Sequence, residues 1–206
     1  DRNCVPAFLN FSSHGSQPFM AALCVSVNDG IVHGLPSKDP IKEGDAVGID
    51  LGLIYQEKYY LDSARTVMVG TTKPEVVELV NVTQLALAAG ITAATVGNHV
   101  GDIGAAIQVF AEDKGYGIVR QLVGHGVGFD VHEEPHVPNY GKRGDGVKLE
   151  EGLVIAIEPM FTLGSPEITT ALDGWTIITA DGSMAAHAEH TVAVTKDGPR
   201  ILTPSA

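Results

Sequence analysis

"DAVGIDLGLIYQEKYYLDSARTVMV", residues 45–69, decides how this chain folds. Apolar residues alternate at Val47, Ile49, Leu51 and Leu53, the period of two that marks a strand. A polar turn follows and a second apolar run ends at Val69, so the stretch predicts a hairpin-like pair of strands. Each strand is interrupted by an acid, Asp50 in the first and Asp62 in the second. An ionised carboxylate inside a buried strand costs several kcal/mol unless a cation or hydrogen-bond donors compensate it. The plainer alternatives are Asp50 on the solvated side of a half-exposed strand and Asp62 as a turn cap before Ser63.

Downstream, the spacing predicts a helix over 72–90: Thr72 and Glu75 stand in capping-box spacing, Pro74 lies in the first turn, Val76, Leu79, Val80 and Leu87 recur helically, and Gly90 is the stop. A second helix is predicted from Asp102 as its cap to Lys114, with Gly115 at its end. "YGIVRQLVGHGVG", "LVIAIEPMF", "GWTIITA" and "AEHTVAVT" then read as strands separated by Gly and Pro turns. Strands, two helices and further strands argue for an α+β fold, with helices packed on one side of a largely antiparallel sheet. A faint symmetry accompanies this order, because each half supplies acid-bearing strands.

With 206 residues, one domain spanning 1–206 is the expectation, and such a chain buries most of its apolar surface without staples. The net charge of −12, from 13 basic and 25 acidic residues with the basic ones scattered, predicts no nucleic-acid binding. No apolar run approaches a membrane span, no signal segment opens the chain, and two cysteines, Cys4 and Cys24, are too few for a disulfide framework. Together these predict a soluble, cytoplasmic protein without membrane partners.

The buried acids extend beyond the hairpin. Glu158 ends the run Leu153, Val154, Ile155, Ala156, Ile157, and Glu189 precedes Thr191, Val192 and Val194. For each acid alone a structural role is available: Glu158 marks a strand end at Pro159, and Glu189 pairs with His187 or His190. Considered jointly with the glycine-flanked His125, the four carboxylates match the needs of two divalent ions, whose charge they balance. Oxygen ligands with one imidazole suit manganese, iron or cobalt as well as zinc. "GHGVGFDVHEEPH", residues 124–136, also satisfies the zinc-protease pattern H-E-x-x-H at His132, Glu133 and His136. That chemistry needs a helix, and Pro135 within the span, Pro138 beyond it and three glycines upstream predict strand or loop instead. Neither a dinucleotide loop nor a P-loop is present.

"NDGIVHGLP", "IDLGLIYQEKYYLDSARTVMVG", "GHGVGFDVHEEPHVPNYG", "VIAIEPMF" and "DGWTIITADGSMAAHAEHTVAVT" resemble, in order, the successive motifs of the type I methionine aminopeptidases, metallopeptidases of the pita-bread fold. The resemblance covers about Pro6 to Thr195. It implies a curved sheet of two pseudo-symmetric halves with helices on its outer face. It implies two divalent ions, cobalt, manganese, iron or zinc, held by Asp50, Asp62, His125, Glu158 and Glu189, with Asp62 and Glu189 bridging. By the same resemblance Glu158 takes the proton of the attacking water, His132 contacts the scissile amide, and His33 is a proton donor or substrate orienter. Trp175 and Cys24 line the methionine pocket, assisted by Phe8 or His14.

The implied activity is release of N-terminal methionine from peptides and nascent chains with a small second residue, near the ribosome. An X-Pro aminopeptidase or dipeptidase of the same fold shares "DLG", "SART" and "HEEP", whereas "AEHT" and "IEPM" favour the methionine enzymes; a non-catalytic pita-bread binding protein is the alternative of another class. Two departures stand out. Members of the family begin with several tens of residues whose helices cover part of the sheet, whereas this sequence starts almost at "PAFLN"; the resemblance therefore implies an exposed apolar strip. Residues 13–24, "SHGSQPFMAALC", form a longer approach to the Cys-bearing strand than is usual.

Overall fold

The computed structural model describes residues 3–12 and 17–204. Its first half contains β1 (Cys4–Pro6), β2 (Cys24–Val27), β3 (Gly30–Val32), β4 (Ala46–Tyr55) and β5 (Tyr59–Met68). The helices α1 (Pro74–Ala93) and α2 (Val100–Lys114) follow. The second half contains β6 (Gly117–Ile118), β7 (Gly124–Gly126), β8 (Glu133–Val137), β9 (Val154–Ile157), β10 (Met160–Thr162), β11 (Ile168–Thr170), β12 (Ile177–Thr179), β13 (Ala185–His187), β14 (His190–Thr195) and β15 (Gly198–Ile201). The described ladders are antiparallel, and the two that carry the site run β1-β4-β2 with β5 paired to β4, and β15-β14-β9-β7-β8.

The predicted hairpin is β4–β5, paired without a register break from Ala46↔Met68 to Tyr55↔Tyr59. Its faces are reversed relative to a simple hydrophobic reading. Asp50 and Asp62 point inward and are buried, while Ile49 and Leu51 are 43% and 45% exposed. The strand thus turns its polar row to the interior and leaves Ile49, Leu51 and Val67 as exposed apolar residues on the outer face.

Both helices form, with different ends. Thr72 makes no cap: its hydroxyl has no hydrogen-bond partner, Lys73 occupies the cap position, and Pro74 opens α1 with its fixed φ. Gly90 does not stop the helix, which continues to Ala93. Gly90 serves a close approach instead, since a Cβ there would lie 2.8 Å from Ile107 Cδ1 of α2. In α2 the cap is His99 rather than Asp102; Asp102 reaches back, its Oδ2 accepting the His99 N–H at 2.8 Å. Gly115, at φ 69°, ends α2 as predicted. By length and composition α1 is apolar enough to cross a membrane, contrary to the sequence reading, but half of that window is buried in this fold. Leu79, Val80, Ile103 and Ile107 of the helices pack with Ile155, Ile157, Phe161, Val192 and Val194 in one core, which accounts for the apolarity.

The two halves meet at a seam along β5. The Thr191 hydroxyl donates to the Asp62 carbonyl at 2.7 Å and accepts the Asp62 N–H at 2.9 Å. Two residues on, the Ala64 carbonyl accepts the Glu189 N–H at 2.8 Å. Two further on, the Thr66 hydroxyl donates to the His187 carbonyl at 2.9 Å and accepts the His187 N–H at 3.0 Å. This row holds Asp62 of one half against Glu189 of the other.

His125 is held by close backbone approach. A Cβ at Gly124 would lie 2.3 Å from the Ala156 carbonyl oxygen, and one at Gly126 would lie 2.1 Å from that of Glu134. Only glycine fits on either side of this histidine, because the obstacles are rigid backbone. Gly126→Ala is expected to lower stability by about 1–3 kcal/mol, read as a fall in melting temperature of the metal-free protein; an unchanged melting temperature would show that β7 and β8 can separate without cost.

Candidate metal centre

Asp50, Asp62, His125, Glu158 and Glu189 line one cavity of about 220 Å³, together with Phe8, Phe11, Phe19, Cys24, Val32, His33, His132 and Trp175. The sequence-predicted residues are therefore brought together, apart from His14, which lies outside the described residues. Each carboxylate comes from a different segment. Asp50 lies on β4 opposite Cys24 of β2, and Asp62 lies on β5 opposite Gly52. Glu158 follows β9, and Glu189 lies between β13 and β14.

Ligand atoms of Asp62, His125 and Glu189 all lie within 4.8 Å of one another. The imidazole of His125 is oriented for coordination. Its Nδ1 is 2.9 Å from the Gly126 carbonyl oxygen, an acceptor that fixes the proton on Nδ1 and leaves the Nε2 lone pair facing the acids. That Nε2 lies 3.6 Å from Glu158 Oε1, so two electron-rich atoms face each other and a cation between them relieves the repulsion. One oxygen each of Asp50 and Asp62 is buried without a hydrogen-bond partner, as expected of groups placed for a metal rather than for protein donors. The donor set, four carboxylates and one imidazole, fits hard or borderline divalent ions.

The electrostatics agree. Burial, and then repulsion from Asp62 and Glu158, raise the Asp50 carboxyl well above its usual range. Burial, and then repulsion from Asp62, Glu158 and Asp50, do the same to Glu189. Burial raises Asp62 to about 6. Glu158 goes the other way: burial favours its neutral form, but the hydrogen bond from His187, whose Nε2 lies 3.4 Å from Glu158 Oε2, and the surrounding imidazoles outweigh it and lower the pKa. Burial and neighbouring His125 bring His132 down to about 4, and burial lowers His33; both are neutral N–H donors at pH 7. The Cys24 thiol is pushed far up by burial and by Asp50, so it remains a thiol and serves as wall. His33 also holds a left-handed backbone, φ 58°, a conformation that costs a bulky residue about 1 kcal/mol or more.

The H-E-x-x-H letters have other duties. Glu133–Val137 is the strand β8, and Glu133 Oε1 accepts the N–H groups of Phe129 and Asp130 at 2.6 and 2.7 Å, closing the preceding loop. His132 lies over His125, ring centroids 4.5 Å apart. Beside the first cavity a second, about 360 Å³, shares Val32, His33, His125, His132 and Glu158 with it and is lined further by Leu122, Glu134, His136 and Met160 among others. Three contributors escaped the sequence reading. Phe11 packs edge-on to His132 and Phe19 edge-on to Trp175, at 5.4 and 5.3 Å, both from a loop with no periodicity. His187 carried a signal, one histidine ending a buried strand two residues before Glu189, but was read, with His190, as a pairing partner for that acid; it lies against Glu158 instead.

This arrangement, buried carboxylates around one imidazole between two cavities of an antiparallel sheet, defines a metal-dependent hydrolase. The chain belongs to metallopeptidase family M24, whose model matches residues 7–196, and its fold is the pita-bread fold of that family. It is 50% identical over 208 residues to the methionine aminopeptidase of Aquifex aeolicus, covering 98% of this chain and 80% of that one. The crystal structure of methionine aminopeptidase from Thermotoga maritima superposes with a TM-score of 0.92 at 44% identity, covering 98% of this chain and 79% of that one. Prolidase from Pyrococcus furiosus matches less fully: TM-score 0.72, 28% identity, 89% of this chain and 49% of that one.

A carboxyl whose folded pKa exceeds its unfolded value binds more protons folded than unfolded, so its contribution to stability falls as pH rises from near 4 through the folded pKa. For Asp62 that window ends near pH 6, and Asp50 and Glu189 extend it upward. The gain in melting temperature on adding saturating manganese to stripped protein is therefore expected to be larger at pH 7.5 than at pH 5; a gain independent of pH would contradict the assignment of these acids as ligands.

Proposed function

We propose that the chain is a metal-dependent aminopeptidase that releases N-terminal methionine from peptides whose second residue is small. The observation that carries this reading is the acid cluster beside an aromatic pocket, with a second opening that shares His33, His125, His132 and Glu158 with that pocket. A substrate with one residue in the pocket and the remainder in the opening is cut after its first residue.

Asp50, Asp62, His125, Glu158 and Glu189 would hold two divalent ions, with Asp62 and Glu189 brought together from the two halves by the seam along β5. When bound, such ions lower the pKa of a water and draw developing charge from the scissile carbonyl. The protein's own groups do the rest. Glu158, ionised at neutral pH, receives the proton of the attacking water on a carboxylate oxygen. His132, neutral, donates an N–H to the carbonyl oxygen as it gains charge. His33, which lines both cavities, donates to the peptide on the leaving side and orients it. Phe8, Phe11, Phe19, Cys24 and Trp175 receive an unbranched thioether, which makes favourable contacts with ring edges. His132 and His33 crowd the position next to the cut, which favours a small second residue. The substrate class places the work on nascent chains in the cytoplasm.

Stripped protein reloaded with manganese is expected to release methionine from a Met-Ala peptide and nothing from an X-Pro peptide, by amino-acid analysis. Cleavage of the X-Pro peptide alone would transfer the chain to the proline-directed branch. Glu158→Gln is expected to lower kcat by about 10²–10⁴-fold; activity within a few-fold of the parent would remove Glu158 as the proton acceptor.

A further inference from the structure

Gly52 lies on β4 directly opposite Asp62 and two residues beyond Asp50, on the strand face that looks into the cavity. The space its missing side chain would fill is occupied. A Cβ at Gly52 would stand 2.5 Å from Phe8 Cε1, 2.9 Å from Cζ and 3.0 Å from Cδ1, whereas carbon atoms rest about 3.5–4.0 Å apart. The ring of Phe8 is therefore seated on bare backbone.

The surrounding bonds anchor the backbone, so the ring adjusts through its side-chain torsions. Ala7 N–H donates to the Gly52 carbonyl at 2.9 Å, and Phe11 N–H donates to the Phe8 carbonyl at 2.9 Å, so the backbone on both sides of Phe8 is fixed. Phe8 itself lines the cavity with Phe11, Phe19, Cys24 and Trp175. A methyl group at position 52 drives the ring about 1 Å away from β4, the distance needed to restore ordinary contact, and into the space where the first residue's side chain sits.

We propose that Gly52 is a specificity-determining residue: by seating Phe8 against β4 it sets the depth of the aromatic pocket, admitting a side chain of methionine length. The proposal rests on reading this pocket as the site of the first residue's side chain. Gly52 acts through Phe8 and is a positioning residue.

Trp175 is the single tryptophan of the chain and lies in the pocket wall, so its emission reports occupancy without hydrolysis. Manganese-loaded protein would be titrated with L-methionine and with L-2-aminobutyrate, which is shorter by two heavy atoms. Gly52→Ala is expected to weaken methionine binding about 10-fold more than aminobutyrate binding, in line with the discrimination an apolar pocket achieves per methylene. The same shift is expected in kcat/KM for Met-Ala against aminobutyryl-Ala peptides. Removing the ring, in Gly52→Ala with Phe8→Ala, restores the methionine preference to that of Phe8→Ala alone. Equal losses for both ligands, or a double variant that keeps the Gly52→Ala preference, would overturn the proposal. Calorimetric manganese affinity more than a few-fold weaker in Gly52→Ala would also overturn it, by placing the effect on the neighbouring acids. Absence of methionine release by the parent protein would count against the aminopeptidase reading alone, because the emission titration decides the role of Gly52 without it.

Discussion

Mutual repulsion among buried carboxylates is the constraint on which the rest of this structure depends. Asp50, Asp62 and Glu189 are nearly inaccessible to water, and Asp50, Glu189 and Asp62 are all held at raised pKa. In a medium of low effective dielectric, unit charges a few ångströms apart interact with energies of several kcal/mol. Burial favours the protonated form of each. Divalent metal bound here would reverse the balance, converting the least favourable part of the fold into binding energy for the metal.

The remainder of the fold holds the acids against that repulsion. The seam along β5 does so with backbone and hydroxyl groups: Thr191 clamps Asp62, Ala64 receives Glu189, and Thr66 clamps His187. Because the bonds alternate along β5, they fix which face carries each acid, and a slip of one residue would send Asp62 to the outside. The glycines on either side of His125 let β8 and β9 close to backbone contact, so the imidazole projects from a rigid support. Histidines then divide the work by environment. His125 offers a lone pair, His132 and His33 are neutral donors, and His187 lies against Glu158 and favours its ionised form.

Much of this was legible in the sequence, and the reasons for the exceptions are physical. The hairpin and both helices followed from apolar period and the four candidate carboxylates from acids inside apolar runs, features a single strand or helix carries within itself, while His125 was marked by its flanking glycines and the five were joined as a ligand set by the family resemblance. Pro135 and the upstream glycines ruled out a zinc-protease helix, and the segment is a strand. What the sequence could not show was the direction of the faces. Alternation at Val47, Ile49 and Leu51 is symmetrical with respect to which row is buried, and the inward row proved to be that of Asp50 and Gly52. The cap at Thr72 and the stop at Gly90 failed because local propensity gave way to packing, in the second case to Ile107 of α2. Phe11 and Phe19 come from an aperiodic loop, where position depends wholly on the pocket they help to build.

The most direct test is anomalous diffraction from crystals of the manganese-loaded protein. Two peaks within the cavity, about 3.5–4 Å apart, are predicted, with Asp62 and Glu189 each touching both ions and His125 Nε2 touching one. An empty cavity, or a single ion bound away from Asp62 and Glu189, would contradict the account.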